Sequence, residues 1–138
     1  ADDGLVHCRN RKEAEALLHS VRAMYPNQKI TAIFQPHLFS RTQDFAAEFA
    51  ESLSLADEVI LLEIYPAREL PIEGVSSQLI LDKMTNPQKM ICPKSELLNV
   101  LENKRENIEV LLSIGAGDIG QMTTSIAQLM KEKQKIDF

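Results

Sequence analysis

Cysteine, tryptophan and long apolar runs are scarce in this sequence. Its 138 residues include two cysteines, two tyrosines, five phenylalanines and no tryptophan. So few aromatic side chains leave little surface on which nucleic-acid bases could stack. Cys8 and Cys92 lie far apart and outside any CxxC pair, which argues against a zinc site and favours a reduced, cytoplasmic chain. No run approaches the roughly 18 apolar residues that cross a bilayer, so we expect no membrane-spanning segment.

Basic residues are also fewer than acidic residues. The sequence has 15 Lys and Arg residues against 20 Asp and Glu residues, which gives a net charge of −5. Nucleic acids and anionic membranes attract cationic surfaces, so neither is expected as the main partner. The balance still allows one local basic site for a small anion. The start of the chain has no basic stretch followed by an apolar core, so no secretory signal is predicted.

Two motifs of enzyme active sites are missing as well. The sequence contains no G-x-x-x-x-G-K-[ST] loop for the phosphates of ATP and no G-x-S-x-G elbow for a hydrolase nucleophile. Any chemistry must therefore be shared with groups outside this sequence. The length of 138 residues, with 44% apolar and 25% charged residues, predicts one globular domain over residues 1–138.

Apolar periodicity predicts alternating helices and strands. Helices are predicted at 12–25, 43–55, 75–84, 96–104 and 119–133, and strands at 29–34, 58–64, 89–92 and 109–114. The strands at 58–64 and 109–114 are nearly continuous apolar runs, as expected when helices cover both faces of a sheet. The order predicts an α/β fold, a three-layer Rossmann-like domain with a mostly parallel sheet.

Three loops carry the unusual polar residues, and each follows a predicted strand. They span residues 35–42, 65–74 and 115–120. In open parallel sheets the ligand binds beyond the carboxyl ends of the strands, so these loops are expected to converge on one site.

The first loop contains His37, Ser40 and Arg41 just before a predicted helix. A guanidinium fits a carboxylate or phosphate with two parallel hydrogen bonds. A helix N-terminus adds backbone donors and partial positive charge. This pattern predicts an anion-binding corner; the alternative is a solvated surface loop whose His and Arg make ordinary local contacts.

The other two loops are less specific. Gly115, Gly117 and Gly120 match G-x-G-x-x-G between a strand and a helix, which is the setting of a dinucleotide fingerprint. That fingerprint also needs a following strand and a distant acidic residue, so we favour a tight turn with Asp118 as a helix cap. The loop that begins at Tyr65 contains two prolines, which favours a rigid connection, although its polar side chains could contact a substrate.

Three motifs together resemble one family. They are FQPHLFSRTQDF at 34–45, IYPARELPIEGVSS at 64–77 and GAGDIG at 115–120. In this order and spacing they resemble the C-terminal domain of the Mur ligases, and among them the branch that joins L-alanine to UDP-N-acetylmuramate in bacterial peptidoglycan synthesis. Two departures stand out. Leu38 replaces the usual arginine after the loop histidine, and the segment after Asp3 lacks the family's Tyr-x-His-His-Pro.

The resemblance implies the third domain of a longer, cytoplasmic carboxylate–amine ligase. The missing N-terminal and central domains would hold UDP-N-acetylmuramate and ATP with Mg²⁺, so this chain alone is expected to be inactive and to bind no metal. By similarity, His37 and Arg41 would bind the carboxylate of L-alanine, and Asp3 would have a catalytic role. The residues expected to line the same cleft are Ser40, Tyr65, Gly115, Gly117 and Asp118.

Two other functions remain open at this point. The first is a stand-alone nucleotide- or dinucleotide-binding module built on the GAGDIG turn, which predicts a ligand against the backbone of that turn. The second is a purely structural or interaction domain, in which His37 and Arg41 point apart or form ordinary surface pairs.

Overall fold

Five parallel strands form one sheet at the centre of the molecule. The computed structural model describes residues 5–8 and 11–136, and the side chains of residues 12–131. The strands are β1 Leu5–Cys8, β2 Ile30–Gln35, β3 Glu58–Leu61, β4 Gln88–Ile91 and β5 Val110–Gly115. Their order is β1-β5-β2-β3-β4, and every neighbouring pair is parallel.

Helices connect the strands and cover both faces of the sheet. They are α1 Arg11–Met24, α2 Phe39–Ser52, α3 Gln78–Leu81, α4 Leu97–Lys104 and α5 Thr123–Ile136. Short 3-10 turns lie at Leu53–Leu55, Lys94–Glu96, Arg105–Asn107 and Asp118–Met122. The predicted three-layer α/β fold is confirmed. None of the described helices is long and apolar enough to cross a membrane.

Alternating strand residues build two separate cores. From β2, the side chains of Ile30, Ala32 and Phe34 pack against α1, α2 and α3 on one face. Ile33 points the other way, into the core formed with α4 and α5. Since helices cover both faces of the sheet, the inner strands β2, β3 and β5 are buried along their whole length, which explains the nearly continuous apolar runs of β3 and β5.

Several elements differ from the sequence prediction. β3 ends at Leu61 instead of residue 64, α3 covers only Gln78–Leu81 of the predicted 75–84, and α5 begins at Thr123 instead of residue 119. β1 was not predicted; it has four residues and pairs only with β5, with Leu5 opposite Leu111. α2 begins at Phe39, four residues before the predicted start. Its backbone leaves helical geometry at Phe45 (φ −124°, ψ 21°). The first turn of α2 lies in the segment expected to be a loop.

The strand order creates a crevice between β2 and β5. These strands are neighbours, yet β2 leads into α2 on one face and β5 leads into α5 on the opposite face. The two connections diverge from adjacent strand ends, which is the topological switch point where ligands bind in open α/β sheets.

A buried ionic cluster lies at the opposite, amino edge of the sheet. The carboxylate of Glu58 is 3% exposed and lies 3.2 Å from the Lys29 ammonium and 2.8 Å from that of Lys104. The Thr31 hydroxyl donates a further hydrogen bond of 3.2 Å to it. Burial disfavours the charged form, but the two lysines outweigh this and lower the pKa of Glu58.

Candidate functional site at the carboxyl edge of the sheet

The three polar loops meet at the crevice. Gln35 and Gly115 are paired at the ends of β2 and β5. Beyond them, His37 forms an isolated parallel bridge with Tyr65, which follows β3. Tyr65 also lies against Gly117, since a Cβ at that glycine would come within 2.6 Å of the tyrosine ring. One continuous set of contacts therefore joins the loops after β2, β3 and β5.

The backbone and the rings hold His37 and Tyr65 together. The Leu38 N–H donates to the Tyr65 carbonyl at 2.9 Å, and the Tyr65 N–H donates to the Pro36 carbonyl at 2.8 Å. The rings of His37 and Tyr65 are stacked, with centroids 5.8 Å apart and an interplanar angle of 14°. The orientation of the half-buried imidazole is therefore set by its neighbour rather than by solvent.

Leu38 makes the sharp turn from this bridge into α2. Its φ of 74° and ψ of 137° are unusual for a residue with a side chain. Hydrogen bonds hold both of its peptide groups: its N–H bonds to Tyr65, and its carbonyl accepts from the Thr42 N–H and hydroxyl at 3.2 and 2.9 Å. Backbone strain of this kind persists where the surroundings over-determine it, often at functional sites.

The first turn of α2 binds the carboxylate of Glu69. The Ser40 N–H donates to Glu69 Oε1 at 3.1 Å, and the Ser40 hydroxyl donates to Oε2. These hydrogen bonds, with the nearby His37, lower the pKa of the partly buried Glu69 carboxyl. The N-terminal turn of α2 thus holds a carboxylate of the protein itself, whereas the predicted binding of a ligand carboxylate by His37 and Arg41 stays a prediction.

Arg41 lies in the same turn and is exposed. Its side chain makes no hydrogen bond or salt bridge with any described residue, so its guanidinium is available to a ligand. The structure records no direct contact between Arg41 and His37. Their joint binding of one carboxylate therefore stays a prediction.

Gln35 links the two walls of the crevice and was not predicted as a site residue. It is 4% exposed. Its amide nitrogen donates to Asp118 Oδ1 at 2.6 Å, and its amide oxygen accepts from the Ile119 N–H at 2.9 Å. The sequence signal was a polar residue that directly follows the apolar run ITAIF, where an apolar side chain would be expected.

Asp118 receives a second partner from the loop after β4. The Lys94 ammonium donates to its other carboxylate oxygen. Burial disfavours ionisation, but the hydrogen bonds from Lys94 and Gln35 outweigh it and lower the pKa of Asp118. The prediction of Asp118 as a helix cap is wrong: the 3-10 turn begins at Asp118 itself, after Gly117, and has no side-chain cap. An exposed lysine such as Lys94 carried no sequence signal.

Close packing explains the glycines of the third loop. A Cβ on Gly117 would lie 2.6 Å from the amide oxygen of Gln35 and 2.6 Å from Cγ of Tyr65. On Gly115 it would lie 2.7 Å from a methyl carbon of Ile119 and 3.1 Å from the Gln35 carbonyl. The space beside Gly117 is filled by side chains of the protein, which favours the tight-turn interpretation over a dinucleotide fingerprint.

Two predictions remain to be placed. Asp3 lies outside the described residues, so its catalytic role stays a prediction. Within the described part of the chain, no group of three or more His, Cys, Asp or Glu side chains could hold a metal ion. Cys92 is 3% exposed, and burial raises the pKa of its thiol.

The strand order and the connections define a doubly wound α/β domain with a switch point between β2 and β5. Residues 9–124 match the family described as "Mur ligase, glutamate ligase domain", and the chain belongs to this family. The dinucleotide-module alternative is not needed to explain the glycine motif.

Curated relatives show to which Mur ligases the chain is similar. A UDP-N-acetylmuramate–L-alanine ligase of Flavobacterium johnsoniae is 55% identical over 120 residues, which is 87% of this chain and 26% of that protein. A protein of the same name from Porphyromonas gingivalis is 50% identical over 119 residues, 86% of this chain and 26% of that protein. The chain thus spans about a quarter of the length of these relatives.

Solved structures agree on the fold. A domain of a putative UDP-N-acetylmuramate:L-alanyl-γ-D-glutamyl-meso-diaminopimelate ligase from Haemophilus ducreyi superposes with a TM-score of 0.62 at 16% identity, covering 93% of each chain. The UDP-N-acetylmuramate–alanine ligase of Thermotoga maritima gives a TM-score of 0.58 at 24% identity, over 96% of this chain and 26% of that one.

Proposed function

We propose that this chain is the amino-acid-binding domain of an ATP-dependent ligase that joins L-alanine to UDP-N-acetylmuramate. The names of relatives about 50% identical to it support the reaction. The structural observation that supports the role of this domain is the exposed guanidinium of Arg41, without a partner among the described residues, on a helix turn that already binds a carboxylate.

In this proposal the corner holds the carboxylate of L-alanine. The Arg41 guanidinium supplies two parallel hydrogen bonds, and the first turn of α2 supplies backbone donors and partial positive charge. The imidazole of His37, oriented by Tyr65, adds a further donor. Fixing the carboxylate also fixes the amine, and this positioning is the main contribution of the domain to the rate.

The remaining reaction components are assigned to the rest of the enzyme. The chain has no phosphate-binding loop of the G-x-x-x-x-G-K-[ST] type, so ATP, Mg²⁺ and UDP-N-acetylmuramate are proposed to bind on the missing domains. ATP supplies the activation of the muramoyl carboxylate that the amine attacks. The location is proposed to be cytoplasmic, with neither nucleic acid nor membrane as a partner, and the isolated chain is expected to be inactive.

Arg41→Ala in the full-length enzyme tests the proposal. Loss of a charged hydrogen-bond partner costs about 2–3 kcal/mol, so kcat/KM for L-alanine should fall roughly 30–150-fold. The KM for ATP should stay at its wild-type value. Lys12→Ala, an exposed cation on α1, is the control and should leave both parameters unchanged. An Arg41→Ala enzyme with the wild-type dependence on L-alanine would remove Arg41 from the site.

A further inference from the structure

The anion corner of this structure is occupied by a carboxylate of the protein itself. Glu69 accepts hydrogen bonds from both the N–H and the hydroxyl of Ser40. These are donors of the helix turn on which the carboxylate of the amino acid is proposed to bind. Glu69 and the substrate therefore present the same chemical group to the same donors.

The loop that carries Glu69 is held weakly. Between residues 66 and 74, only Glu69 and Ile72 are even partly buried, and Leu70 is 84% exposed. The Glu69 N–H bonds to the Pro66 carbonyl within the same turn, at 2.9 Å. Withdrawal of the Glu69 side chain breaks hydrogen bonds to the start of α2 and disturbs no buried apolar contact. Segments with few buried contacts open at low free-energy cost.

We propose that Glu69 is an internal competitor for the carboxylate-binding corner, and that the amino-acid substrate binds by displacing it. This inference rests on the proposed function for the identity of the substrate. The corner then has a closed state, with Glu69 on Ser40, and an open state that accepts the ligand. Two carboxylates on one helix turn repel each other, so the states exclude one another. Arg41 remains exposed in the closed state, where it can meet the incoming anion first.

Glu69 weakens the apparent affinity of the corner for its ligand, because only the open molecules can bind. The apparent Kd equals the Kd of the open corner divided by the fraction of molecules that are open. If the closed state holds about 90% of the molecules, the apparent Kd is about tenfold weaker than that of the open corner. Removing the charge of Glu69 should recover much of this factor. A residue that only capped the helix, or that helped to bind the substrate, would have the opposite effect or none.

Titration with acetate tests the competition directly. The backbone amide signal of Ser40 in the isotopically labelled 138-residue chain reports binding to the wild type, to Glu69→Gln and to Glu69→Ala. We expect both variants to bind acetate about three- to tenfold more tightly than the wild type. Glu73→Gln, an exposed carboxylate in the same loop, is the matched control and should bind like the wild type. Equal or weaker binding by folded Glu69 variants would overturn the proposal.

The full-length enzyme provides the second readout. Glu69→Gln should lower the KM for L-alanine by a similar factor, with the KM for ATP unchanged. An unchanged or raised KM for L-alanine would overturn the competition. An enzyme that does not use L-alanine at all would refute the proposed function instead, and the acetate titration alone would then decide the role of Glu69.

Discussion

Replacing Gln35 with leucine should destabilise the domain more than any surface polar substitution. The change removes the hydrogen bond to Asp118 and leaves the Ile119 N–H buried without an acceptor. An orphaned buried polar group costs about 1–3 kcal/mol, and a hydrogen bond to a charged group is worth about 1.5–3 kcal/mol. Because leucine recovers part of the loss through apolar burial, we expect a net decrease of about 2–4 kcal/mol in the free energy of unfolding.

Urea unfolding of the 138-residue chain measures this loss as a free energy, and thermal unfolding measures it as a lower Tm. With an unfolding entropy of about 2.1 cal/mol/K per residue, each kcal/mol lowers the Tm of a chain of this length by about 3 °C, so Tm should fall by about 6–12 °C. Gln78→Leu is the control, since Gln78 makes the same amide-to-carboxylate bond, to Asp82, on an exposed helix turn. Exposed pairs at this spacing contribute about 0.2–0.5 kcal/mol.

The comparison between Gln35→Leu and Gln78→Leu shows whether the buried hydrogen bonds of Gln35 stabilise the crevice. If Gln35→Leu costs no more than Gln78→Leu, the buried bridge does not stabilise the crevice and the loops after β2 and β5 are held by packing alone. Asp118→Asn extends the test, because it keeps an acceptor for the Gln35 amide while it removes the charge. Its cost should be smaller than that of Gln35→Leu.

Two further outcomes follow from the packing and the buried charges. Gly117→Ala should lower the free energy of unfolding by about 1–3 kcal/mol, because the added Cβ would lie 2.6 Å from atoms of Gln35 and Tyr65 and overpack the turn. Thermal unfolding measures this loss, and a Tm equal to that of the wild type would contradict it. The folded-state pKa of Glu58 lies below its ordinary 4.5, so its stabilisation is present above pH 4.5 and is lost as the pH falls through the lowered value. As the pH falls below 4.5, the free energy of unfolding of Glu58→Gln should therefore decrease less than that of the wild type. Urea unfolding measures this, and a pH profile equal to that of the wild type would refute it.

The layered fold was predictable because burial imposes simple periods. Strand residues such as Ile33 and Phe34 face opposite cores, so both had to be apolar, and the run KITAIF was unambiguous. β1 escaped prediction because four residues without a following turn signal carry too little pattern. The start of α2 escaped because Ser40, Arg41 and Thr42 in its first turn are polar, and of residues 39–42 only Thr42 is buried.

The site was predictable only in part, for a physical reason. His37, Ser40 and Arg41 are adjacent in the sequence, so one loop after one strand placed them together. Gln35 and Lys94 reach Asp118 from positions distant in the chain, and only the sheet order brings them to the crevice. Contacts between loops depend on which strands are neighbours, and periodicity does not reveal that.

The place of β5 within the sheet has a consequence for how the domain is assembled. β5 lies between β1 and β2, although among the described strands it comes last in the sequence. Until it arrives, β1 has no neighbour in the sheet and β2 has an unpaired edge. Pairing of β1 with β5 closes a loop of about a hundred residues, and such distant pairing slows folding. A chain interrupted before Val110 would therefore expose the edge of β2 to pairing with other chains, whereas β5 covers that edge once it has been added.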